Sequence, residues 1–109
     1  MGLFHASKPR ECGIVELEKD QKIINFTEKP ENPAGDLANG GIYMAAQAVF
    51  DYFPEPGAPD HVLDFGHHVL PRLRGRMYGH VIEEYLRDIG TLESYQTALK
   101  EWPLKEAIL

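Results

Sequence analysis

The chain has 109 residues, 43% of them hydrophobic and 26% charged, a composition that fits one compact domain with a single core. Its formal charge of -6 excludes a nucleic-acid binder, because affinity for a phosphate backbone is built from clustered Lys and Arg, and here acids outnumber bases. A single cysteine, Cys12, excludes an internal disulfide, and no apolar run approaches the ~20 residues that span a bilayer, so the cytoplasm is the expected setting.

Residues 2 to 6 are short and mostly apolar and precede a Ser-Lys-Pro-Arg loop, which predicts a strand. Residues 13 to 18 and 22 to 28 are β-branched and partly alternating, with polar Lys19-Asp20-Gln21 between them, and predict a β-hairpin. Pro30 and Pro33 each fix φ and disfavour helix in the preceding residue, so 28 to 35 reads as an extended loop. Residues 38 to 45 read as a buried strand entered through Gly40-Gly41, where a bulge or close backbone approach is expected. Gln47 to Phe53 follows as a short helix stopped by Pro54.

After a Pro- and Gly-rich loop at 54 to 60, Asp64 is a good N-cap for a helix ending by Gly75, with Phe65, Val69, Leu70 and Leu73 on one face. Pro71 predicts a kink or change within it. Arg72, Arg74 and Arg76 fit its solvated end and the loop beyond. Residues 77 to 83 return to strand-like alternation, and Tyr85 to Ile89 continues as a second extended piece. Thr91 caps a last helix with Leu92, Tyr95, Ala98 and Leu99 along one face, Glu93 in the first turn and Lys100 in the last. The early hairpin excludes an all-parallel sheet, so the expectation is an α/β fold with a mixed β-sheet and flanking helices.

Four stretches carry a resemblance: Cys12-Gly13-Ile14-Val15, Phe26-Thr27-Glu28-Lys29-Pro30, Asn39-Gly40-Gly41-Ile42-Tyr43 and Asp88-Ile89-Gly90-Thr91. In this order they resemble the sugar-phosphate nucleotidyltransferases, the family of mannose-1-phosphate guanylyltransferase and glucose-1-phosphate thymidylyltransferase. The wording around them leans to bacterial guanylyltransferases acting on mannose or heptose phosphates. The resemblance implies that residues 1 to 109 are the carboxyl-terminal half of a Rossmann-like nucleotide-diphospho-sugar transferase fold. It also implies a reaction that turns a nucleoside triphosphate and a sugar 1-phosphate into a nucleotide sugar and pyrophosphate.

Glu28 and Lys29 sit where a strand gives way to a Pro-containing loop, which holds two opposite charges at a sheet rim. Read from the residues alone, they are either a solvated ion pair or a ligand site. Lys29 offers a compact charge for phosphate, and the Glu28 carboxylate accepts from sugar hydroxyls, the roles the resemblance implies. Gly13 and Asn39 are the further sugar-contact candidates, since a missing Cβ lets a backbone approach a sugar closely. Asp88 lies just before a helix N-terminus; by itself it caps the turn before Thr91, whereas the resemblance implies a metal ligand for magnesium. The five histidines form no His-Glu-x-x-His pattern, and Cys12 has no local feature that would activate its thiol.

The family's amino-terminal Gly-x-Gly-x-Arg loop, which holds the triphosphate, and its other metal-binding Asp have no counterpart in these 109 residues. Nucleotidyl transfer depends on positioning and charge neutralisation, so the expectation is no catalytic residue here and no activity alone. Open strand edges and apolar patches would then call for an oligomer or an upstream polypeptide, and a nucleoside triphosphate would bind only with the missing half supplied. A different class of function, a non-catalytic sugar-phosphate-binding or regulatory module docking on a full-length enzyme, also fits that gap.

Overall fold

The computed structural model describes residues 1–55 and 62–102. Five strands form one sheet: β1 (Gly2–His5), β2 (Gly13–Leu17), β3 (Ile23–Glu28), β4 (Leu37–Asn39) and β5 (His80–Val81). Their spatial order is β3-β2-β4-β1-β5. β1 runs parallel to β5, and the other pairs are antiparallel, so the sheet is mixed.

The β2–β3 hairpin forms as its alternation predicts, in the register Gly13↔Glu28 through Glu16↔Asn25. A bulge follows at Glu16/Leu17, where Leu17 pairs with Ile23 and leaves Ile24 over. The turn is closed by the Glu18 N–H on Lys22 O at 2.9 Å and the Gln21 N–H on Glu18 O at 3.0 Å. Alternation also sorts the core. One face gathers Leu3, Val15, Ile23 and Phe26 under Leu70 and Met77; the other gathers Ala6, Ile14 and Ala38 beside Phe4 and Cys12.

Two expected elements differ. The strand read at 38 to 45 stops at Asn39, because Gly41 turns the chain at φ +74, and Ile42 to Ala46 are exposed rather than buried. The helix read at 64 to 75 is a π-helical turn, Phe65–Val69, followed by a 3-10 turn, Leu70–Leu73. The change falls beside Pro71, which has no N–H to give to a preceding carbonyl. Asp64 nonetheless caps the start, its Oδ1 accepting the His67 N–H at 2.7 Å. The short helix read at Gln47 to Phe53 forms as a 3-10 helix, Gln47–Tyr52.

Residues 77 to 82 are extended but divide their hydrogen bonds. Met77 O accepts from Ile23 N and the Gly79 N–H reaches Gln21 O on the hairpin side, while the His80 and Ile82 N–H groups reach Met1 O and Leu3 O. Only His80–Val81 counts as strand, and 85 to 89 joins no ladder. The arginines do structural work: Arg72 donates to Tyr52 O at 3.3 Å, Arg74 to Asn25 Oδ1 at 2.6 Å, and Arg76 lies 5.6 Å over the Tyr52 ring.

The last helix, α1 (Leu92–Glu101), starts where its sequence says, with Thr91 Oγ1 accepting the Ser94 N–H at 3.1 Å. Its apolar stripe is exposed, Leu92 at 72% and Leu99 at 61%. No helix among the described residues is long and apolar enough to cross a membrane.

Candidate functional site

The site lies where β2 begins, β3 ends and the loop before α1 passes. Antiparallel pairing sets Gly13, the first residue of β2, opposite Glu28, the last of β3. Gly13 is buried, and a Cβ there would stand 2.8 Å from Glu28 Oε2 and 2.8 Å from the Phe26 ring. The missing side chain is therefore the space in which the Glu28 carboxylate lies. From the opposite side, a Cβ on Gly66 would come within 3.4 Å of the same oxygen and 3.3 Å of Asp64 Oδ1.

Lys29 leaves the strand at φ 46, a left-handed conformation fixed by its N–H on Cys12 O at 2.9 Å. Its side chain is exposed, directly beyond the half-buried Glu28. The pair thus diverges, the carboxylate tucked against Gly13 and the ammonium in solvent; no ion pair between them forms.

Asp88 joins this group from far along the chain. Its Oδ1 accepts the Gly90 N–H at 2.8 Å, and its backbone oxygen accepts the Ser94 hydroxyl, so the loop is tied to the first turn of α1. Asp88, Cys12, Thr91 and Ser94 share the wall of a cavity of about 520 Å³ with Phe4 and Lys8. One Asp88 oxygen closes the turn, the role read from the residues alone, and the other takes no hydrogen bond among the described residues. That oxygen fits a single hard-ligand position, as magnesium takes from a protein when phosphate oxygens complete its octahedron. Among the described residues, no three His, Cys, Asp or Glu side chains converge to hold a metal.

The Cys12 thiol reports the convergence. Burial pushes it up, the carboxylates of Asp88, Glu11 and Glu28 add in that order, and the Lys29 ammonium opposes them. A raised thiol value keeps the folded chain's preference for the neutral form, a contribution present at low pH and lost as pH rises through the folded value. Alkylation of Cys12 by iodoacetamide is therefore expected to be slower at pH 8 than for a free thiol, with its midpoint displaced upward. Asp88→Asn removes one like charge and should speed it; an unchanged rate would separate Asp88 from the thiol.

Asn39 closes the site on the β4 side, its Nδ2 donating to the Tyr43 hydroxyl at 2.6 Å and its Oδ1 accepting the Gly41 N–H at 2.9 Å. The Tyr43 ring packs on Phe65 at 4.9 Å, and Phe65 in turn on Phe53 at 6.1 Å. Burial pushes the Tyr43 phenol up, and the Glu28 and Asp64 carboxylates add to that against the Asn39 hydrogen bond. Sequence reasoning placed Tyr43 only within a motif and Asp64 only as a cap. The signal for Tyr43 was the Gly-Gly pair, because only a turn there brings residue 43 back to residue 39.

Glu28 lies against Gly13 beside Phe26, which packs on one face of the sheet, whereas Asp88 shares a cavity with Phe4 and Cys12, which pack on the other; Lys29 is exposed beyond Glu28, and Asn39 is joined to Tyr43. The mixed five-stranded sheet with its helices is an α/β fold consistent with a nucleotidyltransferase domain. The sequence model of the family described as nucleotidyl transferase matches residues 1–103, and the chain belongs to that family. It is 38% identical over 97 residues to a glucose-1-phosphate adenylyltransferase of Desulfitobacterium hafniense (strain Y51), covering 82% of this chain and 24% of that one. The enzyme of the same name from Fervidobacterium nodosum is 36% identical over 89 residues, 76% of this chain and 21% of its own. That from Bacillus cytotoxicus is 32% identical over 102 residues, 89% and 27% respectively. The chain spans about a quarter of the length of these relatives. Their names carry an adenylyl group and glucose, where the motif wording leaned to guanylyl and mannose or heptose.

Proposed function

We propose that residues 1 to 109 form the sugar-phosphate-binding part of a cytoplasmic enzyme that makes a nucleotide sugar. In the reaction read here, a phosphate oxygen of the sugar 1-phosphate attacks the α-phosphorus of a nucleoside triphosphate. A P–O bond forms there as the bond to the β-phosphate breaks, and pyrophosphate leaves with the electron pair. Lys29 holds the sugar's phosphate, which lowers the repulsion between two anionic reactants. Glu28 and Asn39 orient the sugar, with Gly13 leaving the room in which Glu28 lies. Asp88 supplies one ligand to magnesium, which when bound neutralises phosphate charge.

The observation that supports this reading is the gathering of Gly13, Glu28, Lys29 and Asp88 about the Cys12 thiol, from segments far apart in sequence. The nucleotide is held by the remainder of the enzyme, supplied by an upstream polypeptide or another subunit, and this part is inactive without it. The exposed apolar stripe of α1 suits such an association.

Calorimetric titration of the chain with glucose 1-phosphate and with mannose 1-phosphate, in magnesium, tests the reading. The wild-type chain should bind at least one. Lys29→Ala should weaken that binding about 10- to 100-fold, the worth of a charge-assisted contact. Equal affinity in the variant would remove Lys29 from the site, and no binding of either sugar by the wild type would remove the reading itself.

A further inference from the structure

The last helix shows its more apolar side to solvent. Ser94, Thr97 and Ala98 are half-buried against the rest of the domain, whereas Leu92, Tyr95, Leu99 and, just past the helix, Trp102 are exposed. Their alternating three- and four-residue spacing sets all four along one seam, the pattern by which a helix meets another helix. Beside the seam runs an apolar groove of about 490 Å³, between α1 and the extended segment that precedes it, lined by Tyr85, Ile89, Tyr95, Ala98, Leu99 and Trp102. Its outer wall is already fixed. Tyr85 Oη and an Arg87 N–H both donate to Glu101 Oε2, at 3.0 and 2.9 Å, and the Tyr85 ring meets Trp102 edge-on at 5.7 Å. A wall so ordered loses little freedom when the groove is filled.

Three features select what fills it. The first is shape: a ridge, Leu92 and Leu99, stands beside a groove of the same chemistry on one surface, which is what a two-fold contact between identical surfaces requires. The second is area. Ile89, Leu92, Tyr95, Leu99 and Trp102 leave roughly 600 Å² of side chain bare, so two copies would bury about 1,200 Å², the lower end of a specific, stable interface. The third is charge. The amino end of α1 carries Asp88 and Glu93, and the carboxyl end carries Lys100 beside an Arg87–Glu101 pair that neutralises itself. Antiparallel helices set each acidic end, and each helix dipole, against its opposite; parallel ones set like against like. A lipid surface is a poor match, because the helix carries two glutamates to one lysine.

We propose that this face pairs with the same face of a second copy of the chain. The two α1 helices lie antiparallel across a two-fold axis, the Leu92–Leu99 ridge of each seated in the groove of the other. The cavity that holds Asp88 takes Ser94 and Thr97 from α1 and none of the seam residues, so pairing leaves it open. Pairing also braces the helix to which Ser94 ties the Asp88 loop. The inference goes beyond the sugar-phosphate reading and does not depend on it.

Sedimentation velocity on the 109-residue chain, from about 1 to about 300 µM, tests the pairing, with the emission of Trp102, the one tryptophan, recorded on the same samples. Expected is a reversible monomer–dimer equilibrium with Kd of about 1–100 µM, the range for a small interface. Trp102 emission should shift to the blue over the same concentrations as the indole leaves water. Leu99→Glu changes an exposed side chain, so its circular dichroism should match wild type while Kd rises at least about 10-fold and the blue shift disappears. Lys100→Glu gives both ends of the helix one sign and should raise Kd about 2- to 10-fold; an unchanged Kd would refute the antiparallel arrangement. A chain that stays monomeric throughout overturns the proposal, and a Trp102 emission already blue in that monomer would show that another part of the chain covers the face. A dimer that Leu99→Glu leaves intact forms elsewhere on the surface and sinks the proposal equally. Assembly that keeps growing with concentration would exclude two-fold closure. None of these outcomes involves a sugar phosphate, so each leaves that reading where it stood.

Discussion

Replacing Leu3 by alanine is expected to lower the stability of the folded chain by about 2–5 kcal/mol, the range for truncating a fully buried leucine. Leu3 is 0% exposed, on a strand that stands between β4 and β5. It meets Val15 and Phe26 on its own face and Leu70 and Met77 above it. Domains of this size are stable by only about 5–15 kcal/mol, so the loss is a large fraction of the whole. Urea denaturation followed by circular dichroism should show the midpoint falling sharply; a loss under about 1 kcal/mol would mean that Leu3 is not a centre of the core.

Gly13→Ala should damage stability and ligand binding together. Its new methyl would stand 2.8 Å from the Phe26 ring and from Glu28 Oε2, well inside contact distance. The ring is buried and has little freedom to withdraw, so overpacking of about 1–3 kcal/mol is expected. The carboxylate is the more mobile of the two and would swing away from Gly66, carrying the acceptor out of the site. Sugar 1-phosphate affinity should therefore drop at least as far as in Glu28→Gln, about 10-fold or more. Calorimetry on the two variants checks this, and a stable Gly13→Ala chain with wild-type affinity would show that Glu28 is not held by that vacancy.

The parts of the fold legible in the sequence are those fixed by near neighbours. The hairpin from Gly13 to Glu28 depends on alternation and a polar turn, and α1 on the Thr91 cap and its first-turn Glu93. Asp64 as a cap and a break near Pro71 were equally visible, because each follows from one residue's own hydrogen bonding. The strand expected over 38 to 45 failed because a period of two says nothing of a glycine at positive φ. In a continuous strand, residues 39 and 43 would lie ~13 Å apart, too far for the contact their side chains make. The division of 77 to 82 between the hairpin and β1 was hidden for another reason: it is decided by partners distant in sequence. The same holds for the site. Glu28 with Lys29, and separately Asp88, were legible in the sequence, whereas the nearness of their charges to Cys12 depends on the fold.

The pairing of β1 with β5 also bears on how the chain assembles. Gly2 faces His80 and Leu3 faces Val81, whereas Gly13 to Leu17 meet β3 across a short turn. Loop-closure entropy grows with the logarithm of the enclosed length, so joining β1 to β5 costs about 2 kcal/mol more than closing the hairpin. Two residues of parallel ladder offset little of that by themselves, and the pairing waits until Leu70 and Met77 have settled over Leu3. Folding is therefore expected to proceed outward from the hairpin. The strand that leads from the apolar cover toward the Asp88 loop is then expected to close last, with its amides the first in the sheet to exchange with solvent.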